Sequence, residues 1–194
     1  MNTPFNFHLT QFSNEAEILR YEVREFLSDA LKDISKETRA ETWYGADEEF
    51  SKKVGKKGWI GLNWPKEYGG AGRSAMERYV ILEEMLTAGA PVGAHWISDR
   101  QSGPLIIRYG TEKHQKELLP GILKGESYFC IGMSEPDSGS DLAALRTKAE
   151  KKDNIYIVNG TKLWTSGAHR CQYMIACFRT SQEEDRHGGL SQFI

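Results

Sequence analysis

The chain has 194 residues, 39% of them hydrophobic and 27% charged, enough for one substantial core or two modest domains of a soluble protein. Its 25 basic and 27 acidic side chains leave a formal charge of -2, too weak a field to gather nucleic acid or an anionic membrane, so a small neutral or anionic ligand is the expected partner. Cys130, Cys171 and Cys177 are odd in number and lack CxxC spacing, which excludes a disulfide framework or a zinc site and reads as free thiols in a reducing compartment. Residues 1–10 show no basic leader before an apolar run, and no segment approaches the ~18 apolar residues of a membrane span, so the cytoplasm is the expected location.

From Asn14 onward, Leu19, Val23, Phe26, Leu27, Ala30, Leu31 and Ile34 recur at spacings of three and four, predicting an amphipathic helix with Asn14 as cap and Glu17 reaching back to it. A second helix is predicted after Asp47, using Phe50 and Val54. Residues 63–73, NWPKEYGGAGR, carry a proline and three glycines and read as an irregular loop. Ser74 and Glu77 form a capping-box pair ahead of Tyr79, Val80, Leu82, Met85 and Leu86. Glycines at 89 and 93 interrupt that helix, and helical pieces over 104–109 and 111–123 follow, with Gly125 as the stop.

Near Ser127 the period changes from helical to alternating, and aromatic and β-branched residues become frequent. Strands are predicted over 128–133, 147–151, 155–158, 162–165, 173–178 and 190–194, with Asp153 and Asn154 turning between two of them and Asn159-Gly160 as a two-residue hairpin turn. The expected class is α+β, with an all-helical domain over 1–126 and an incomplete β domain over 127–194. A sheet that stops in mid-strand reads as part of a longer unit.

The loop 132–141, GMSEPDSGSD, leaves a strand rich in glycine and hydroxyls, and such a loop can aim several amides and hydroxyls at one phosphate or pyrophosphate. A solvated turn beside capping residues explains the same spacing equally well. Trp164-Thr165-Ser166-Gly167 places an indole beside two hydroxyls, suited to covering a flat heterocycle while donors reach its heteroatoms, although a tryptophan at a strand end more often only packs. His95, His114, His169 and His187 have no metal-ligand spacing, and no nucleophile triad is present. Residues 95–101, HWISDRQ, line a pocket or pair Asp99 with Arg100 at the surface.

At these residues the chain resembles the acyl-CoA dehydrogenase family. The run 132–144, GMSEPDSGSDLAA, fits the family's first signature at every constrained position. PKEYGGAG, GPLIIRYGTEKHQKELLPGILKGE and NGTKLWTSGA follow in the family's order and spacing. The resemblance implies a helical domain, a β-barrel-like middle domain and a C-terminal helical domain absent from these residues. It implies that Ile131, Gly132, Met133, Ser134, Glu135, Gly139 and Ser140 contact FAD, with Ser134 near the flavin ring and Gly139 and Ser140 near the pyrophosphate. Trp164, Thr165 and Ser166 line the other side of the ring, and either hydroxyl can serve N5. Ser140 and Arg100 are the substrate-binding residues, Arg100 on the segment 95–101 that matches the helix lining the acyl pocket. The bulky, charged character of 95–101 suits branched or ring-bearing acyl groups better than straight chains.

The implied reaction is α,β-dehydrogenation of an acyl-CoA by a glutamate base beyond Ile194, in a homo- or heterotetramer that passes electrons to an electron-transferring flavoprotein. A non-catalytic flavin- or acyl-CoA-binding subunit completed by a partner chain, and an acyl-CoA oxidase, are the alternative readings.

Overall fold

Capped amphipathic segments build the first part of the computed structural model, which describes residues 11–194. The reading of residues 1–10 as leader-free lies outside them. Helix α1 spans Asn14–Ala30 and buries Leu19, Val23 and Leu27. Its cap is Ser13 rather than Asn14: Ser13 holds extended backbone and its hydroxyl accepts from Ala16 N at 3.3 Å. Glu17 turns outward to Arg20 at 3.2 Å instead of reaching back. The short α2 (Lys36–Ala40), not expected from the sequence, is capped by Ser35. Asp47 caps α3 (Glu48–Lys56) through Phe50 N at 2.6 Å. Helix α4 (Ala75–Thr87) carries the expected reciprocal pair, Glu77 N on Ser74 Oγ at 3.2 Å and Ser74 N on Glu77 Oε2 at 2.8 Å. Helices α1 and α4 pack together, and Arg20 and Arg24 reach Glu84 at 2.6 and 2.7 Å across the contact.

The chain then runs through α5 (Gly93–Ile97), a π-helical turn (Ser98–Ser102), α6 (Gly103–Tyr109) and α7 (Glu112–Leu123). The wide turn directs two polar side chains inward. Ser98 Oγ donates to Ser127 O at 3.1 Å and accepts from Phe129 N at 3.0 Å. Asp99 accepts from Gly61 N and from Arg78, both at 2.8 Å. Asp99 therefore pairs with Arg78, not with its neighbour Arg100. Gly103 abuts Trp64, where a Cβ would come within 2.0 Å of the indole.

The sheet contains β1 (Phe129–Gly132), β2 (Lys148–Lys152), β3 (Ile155–Asn159), β4 (Tyr173–Arg179) and β5 (Leu190–Phe193). Strand β4 is central: β1 pairs with it in parallel from Phe129↔Tyr173, and β5 pairs antiparallel from Ala176↔Phe193. β2 and β3 form an antiparallel hairpin that joins β4 at Lys148↔Arg179. The class is α+β with a mixed sheet.

Two expectations fail here. Residues 162–165 form no strand, and Asn159-Gly160 is not a hairpin turn. Gly160 is needed for close approach instead, because a Cβ there would meet Thr147 Oγ1 at 2.3 Å. One apolar cluster, including Val23, Phe50, Ile106, Phe129 and Ile175, runs from the helices into β1 and β4. The β1 and β4 ends of the loops described below are thus anchored in it.

Candidate functional site

The loop after β1 and the irregular segment after β3 are fastened together. Leu163 N donates to Ser134 O at 2.8 Å, and Lys162 Nζ donates to Met133 O at 3.0 Å and Glu135 Oε1 at 2.8 Å. Both charged side chains are buried, 9% and 7% exposed. Glu135 also accepts from Arg146 N at 2.6 Å and Thr147 N at 3.0 Å, and its own N–H donates to Ser138 O at 2.7 Å. Burial alone would raise this carboxyl's pKa, but the Lys162 ammonium, Thr147 and the backbone amides outweigh it and hold the group at about 2. Glu135 is therefore a charged brace whose polar side-chain atoms and N–H are already engaged.

The brace presents three consecutive residues of different character. Trp164 sits at φ 56°, in the left-handed region a bulky residue rarely adopts, and its side chain is 86% exposed. Thr165 Oγ1 is buried with no hydrogen-bond partner among the described residues. Ser166 is exposed. A backbone held out of its preferred region to show an uncovered indole, next to an orphaned hydroxyl, suits a flat polar ring that covers one and bonds the other.

The other residues singled out from the sequence fall into three places. Ile131 and Met133 are half-buried against the helical core, and Gly132 is pressed by Met174, whose sulfur would lie 2.6 Å from an added Cβ. Gly139 and Ser140 are exposed in the outer turn of the loop, and a Cβ at Gly139 would meet open space. That turn is held by Ser138 Oγ on Asp141 O at 2.9 Å and by the pairing of Asp141 with Arg186. Arg100 lies apart in the helical region, exposed, with its guanidinium 4.6 Å from the Trp96 ring centre.

The pocket expected at residues 95–101 is a cavity of about 190 Å3 that begins at Ser166 and Gly167 and runs between α5 and residues 43–46; Trp96 and Ile97 line it, whereas its other walls were not expected from the sequence. Trp43, Tyr44, Trp96 and Phe129 supply aromatic walls, and Glu48 and Arg170 are the charged residues on its lining. Gly93 allows the walls to approach, because its N–H donates to Gly45 O at 2.8 Å and a Cβ there would meet Tyr44 O at 2.5 Å. Nothing in local spacing ties Trp43 and Tyr44 to residues 93–97 and 166–171; the contact is tertiary. Trp96 and Ile97, inside the singled-out segment 95–101, and Ser166-Gly167 were the visible signals. Cys171 also lines the cavity, and burial pushes its thiol up to about 11. Buried His95, on the same helix α5, meets Ser51 Oγ at 2.8 Å; burial, opposed in part by Asp99, depresses its pKa to about 4 and keeps it neutral.

Comparison with known proteins places this geometry among relatives. Residues 13–126 match the model of the acyl-CoA dehydrogenase N-terminal domain and residues 130–194 that of the middle domain. Acyl-CoA dehydrogenase FadE26 of Mycobacterium tuberculosis is 36% identical over 191 residues, covering 94% of this chain and 47% of the relative. Among solved structures, the Tcur3481-Tcur3483 steroid ACAD superposes with a TM-score of 0.84 at 36% identity, over 94% of this chain and 47% of that one. A glutaryl-CoA dehydrogenase from Mycobacterium smegmatis in complex with FADH2 superposes at 0.72 with 26% identity, over 88% and 44%. The chain spans about half the length of the relatives it matches.

Proposed function

Because the chain belongs to the acyl-CoA dehydrogenase family, we propose that it supplies the helical wall and the flavin-contacting loops of an FAD-dependent acyl-CoA dehydrogenase. The observation that carries this reading is the hydrogen bond from Leu163 N to Ser134 O, which sets the glycine-and-hydroxyl loop beside the exposed Trp164. The residues fit FAD: Trp164 would cover the flat ring, the orphaned Thr165 hydroxyl or the open Ser166 hydroxyl would hydrogen-bond its N5, and the open turn at Gly139 and Ser140 would take the pyrophosphate. When bound, FAD would supply a hydride acceptor for the substrate β-hydrogen.

The protein's own contribution is orientation. The Glu135–Lys162 brace fixes both loops; Trp164 would keep water from the ring face it covers, and Ser140 would donate toward the acyl-CoA. Near the brace, the Glu135 carboxylate is bound to Lys162 and that of Asp141 to Arg186, so neither is free to take the α-proton. That base is assigned to a glutamate outside these residues. Residues 1–126 and 127–194 then act as two domains, one walling the acyl cavity and one holding the cofactor.

Assembly with further copies or a second chain belongs to the same reading, supported by the two-component naming of the steroid ACAD relative. An electron-transferring flavoprotein is the proposed acceptor. Visible spectra of the complete purified protein under anaerobic conditions test the reading: acyl-CoA addition should bleach the bound flavin. A protein that holds no flavin, or whose flavin no acyl-CoA bleaches, would overturn it.

A further inference from the structure

We propose that the aromatic cavity seats a neutral ring at the far end of the acyl group, and that Arg170 donates a hydrogen bond to a ketone oxygen on that ring. The inference rests on the reading above, since the cavity's near end is Ser166 and Gly167 in the loop that follows Trp164. Size comes first. A cavity of about 150 Å3 accepts one benzene-sized ring, so about 190 Å3 holds one ring with a small substituent.

Shape and rigidity agree with this. Trp43 and Trp96 stand with ring centres 6.4 Å apart, and Tyr44 meets Trp43 edge-on at 5.9 Å. Such rigid, flat walls complement a flat or chair-shaped ring that has few rotors to freeze, whereas a linear chain of equal carbon number loses conformational freedom on entering. Polarity decides the substituent. Arg170 holds its guanidinium 6.0 Å from the Tyr44 ring centre and, among the described residues, ties only Nε, to His169 at 2.9 Å, which leaves its other N–H groups to donate. Glu48 on the same lining disfavours a carboxylate, so the acceptor is an uncharged carbonyl.

The complete protein is compared on three substrates: cyclohexylpropanoyl-CoA, its ring-ketone counterpart, and nonanoyl-CoA, which carries the same number of acyl carbons. The expected order of kcat/KM is ring ketone, then ring, then linear, with about tenfold between the first and last, a difference of about 1.4 kcal/mol. Trp43→Leu and Trp96→Phe should each shrink the ring-to-linear ratio. Arg170→Leu, at an exposed position, should abolish the advantage of the ketone over the plain ring, mainly through KM.

Equal or better turnover of nonanoyl-CoA overturns the proposal, and an unchanged ketone-to-ring ratio in Arg170→Leu overturns the arginine assignment. If no substrate bleaches the flavin, the dehydrogenase reading has failed instead. The cavity is then judged by calorimetric affinity alone, where ring-ketone binding no tighter than nonanoyl-CoA binding sinks it.

Discussion

The helical region and the β2–β3 hairpin dispose of their apolar side chains in opposite ways. In the helices, Leu19, Val23, Phe50 and Ile106 are all but inaccessible, and α1, α3 and α4 each start at a side-chain cap. In β3, Ile155, Tyr156, Ile157 and Val158 are each between 41% and 62% exposed, on both faces of the strand. A strand apolar on both faces is written for burial on both sides. The difference teaches that the first region carries its own core, whereas the hairpin presents a surface.

The largest test of that contrast is truncation. Phe50→Ala should cost about 4 kcal/mol in denaturant unfolding, and Ile157→Ala less than about 0.5 kcal/mol. A cost near 2 kcal/mol at Ile157 would mean the hairpin is covered in solution and the contrast is lost. Next, Lys162→Met strands Glu135 as a buried unpaired charge and should cost about 3 kcal/mol, with Glu135→Gln on the same background restoring part of it.

The acid response sharpens the comparison further, because among several lowered carboxyls each region holds one strongly depressed group. His95 is depressed to about 4, so its unfolded form takes up a proton first. Its contribution is complete above its unfolded pKa near 6.5 and is lost as pH falls toward about 4. Glu135, depressed to about 2, contributes above its unfolded value of 4.5 and is lost only as pH falls through about 2. Urea midpoints should therefore fall in two windows, the upper one removed by His95→Gln. The smallest effect is expected at Trp164→Gly: relief of the left-handed backbone and loss of an exposed side chain should leave stability unchanged or raised by up to about 1 kcal/mol, while co-purified flavin absorbance is lost.

How much of this the sequence made legible follows from the range of the interactions involved. Ser74 and Glu77 act within one helical turn, so their box could be read directly, and the change of period near Ser127 marked the switch from helix to sheet. Ser13 and Asn14 are both good caps, and only the backbone angles choose between them. Residues 162–165 have strand-like composition, but Lys162 is drawn inward to Glu135 and Leu163 bonds the loop instead of a ladder. The glycine-and-hydroxyl loop and Trp164 could be picked out as separate motifs; that Leu163 N fastens them together required coordinates. Of the cavity only the wall at residues 95–101 could be suspected; its assembly was beyond reach because Trp43, Trp96 and Arg170 lie on three distant segments and share no local pattern.

The parallel pairing of β1 with β4 also fixes an order of events in folding. Ser134, Glu135, Lys162 and Trp164 all lie in the connection between Phe129–Gly132 and Tyr173–Arg179. Closing a loop of that length has an entropic cost that is recovered only when the last strand docks. During synthesis the helices can collapse as they emerge, but the two gripping loops acquire their shape only after β4 has been made. In the finished molecule, release of β4 would loosen the fastened loops while leaving the helical bundle standing.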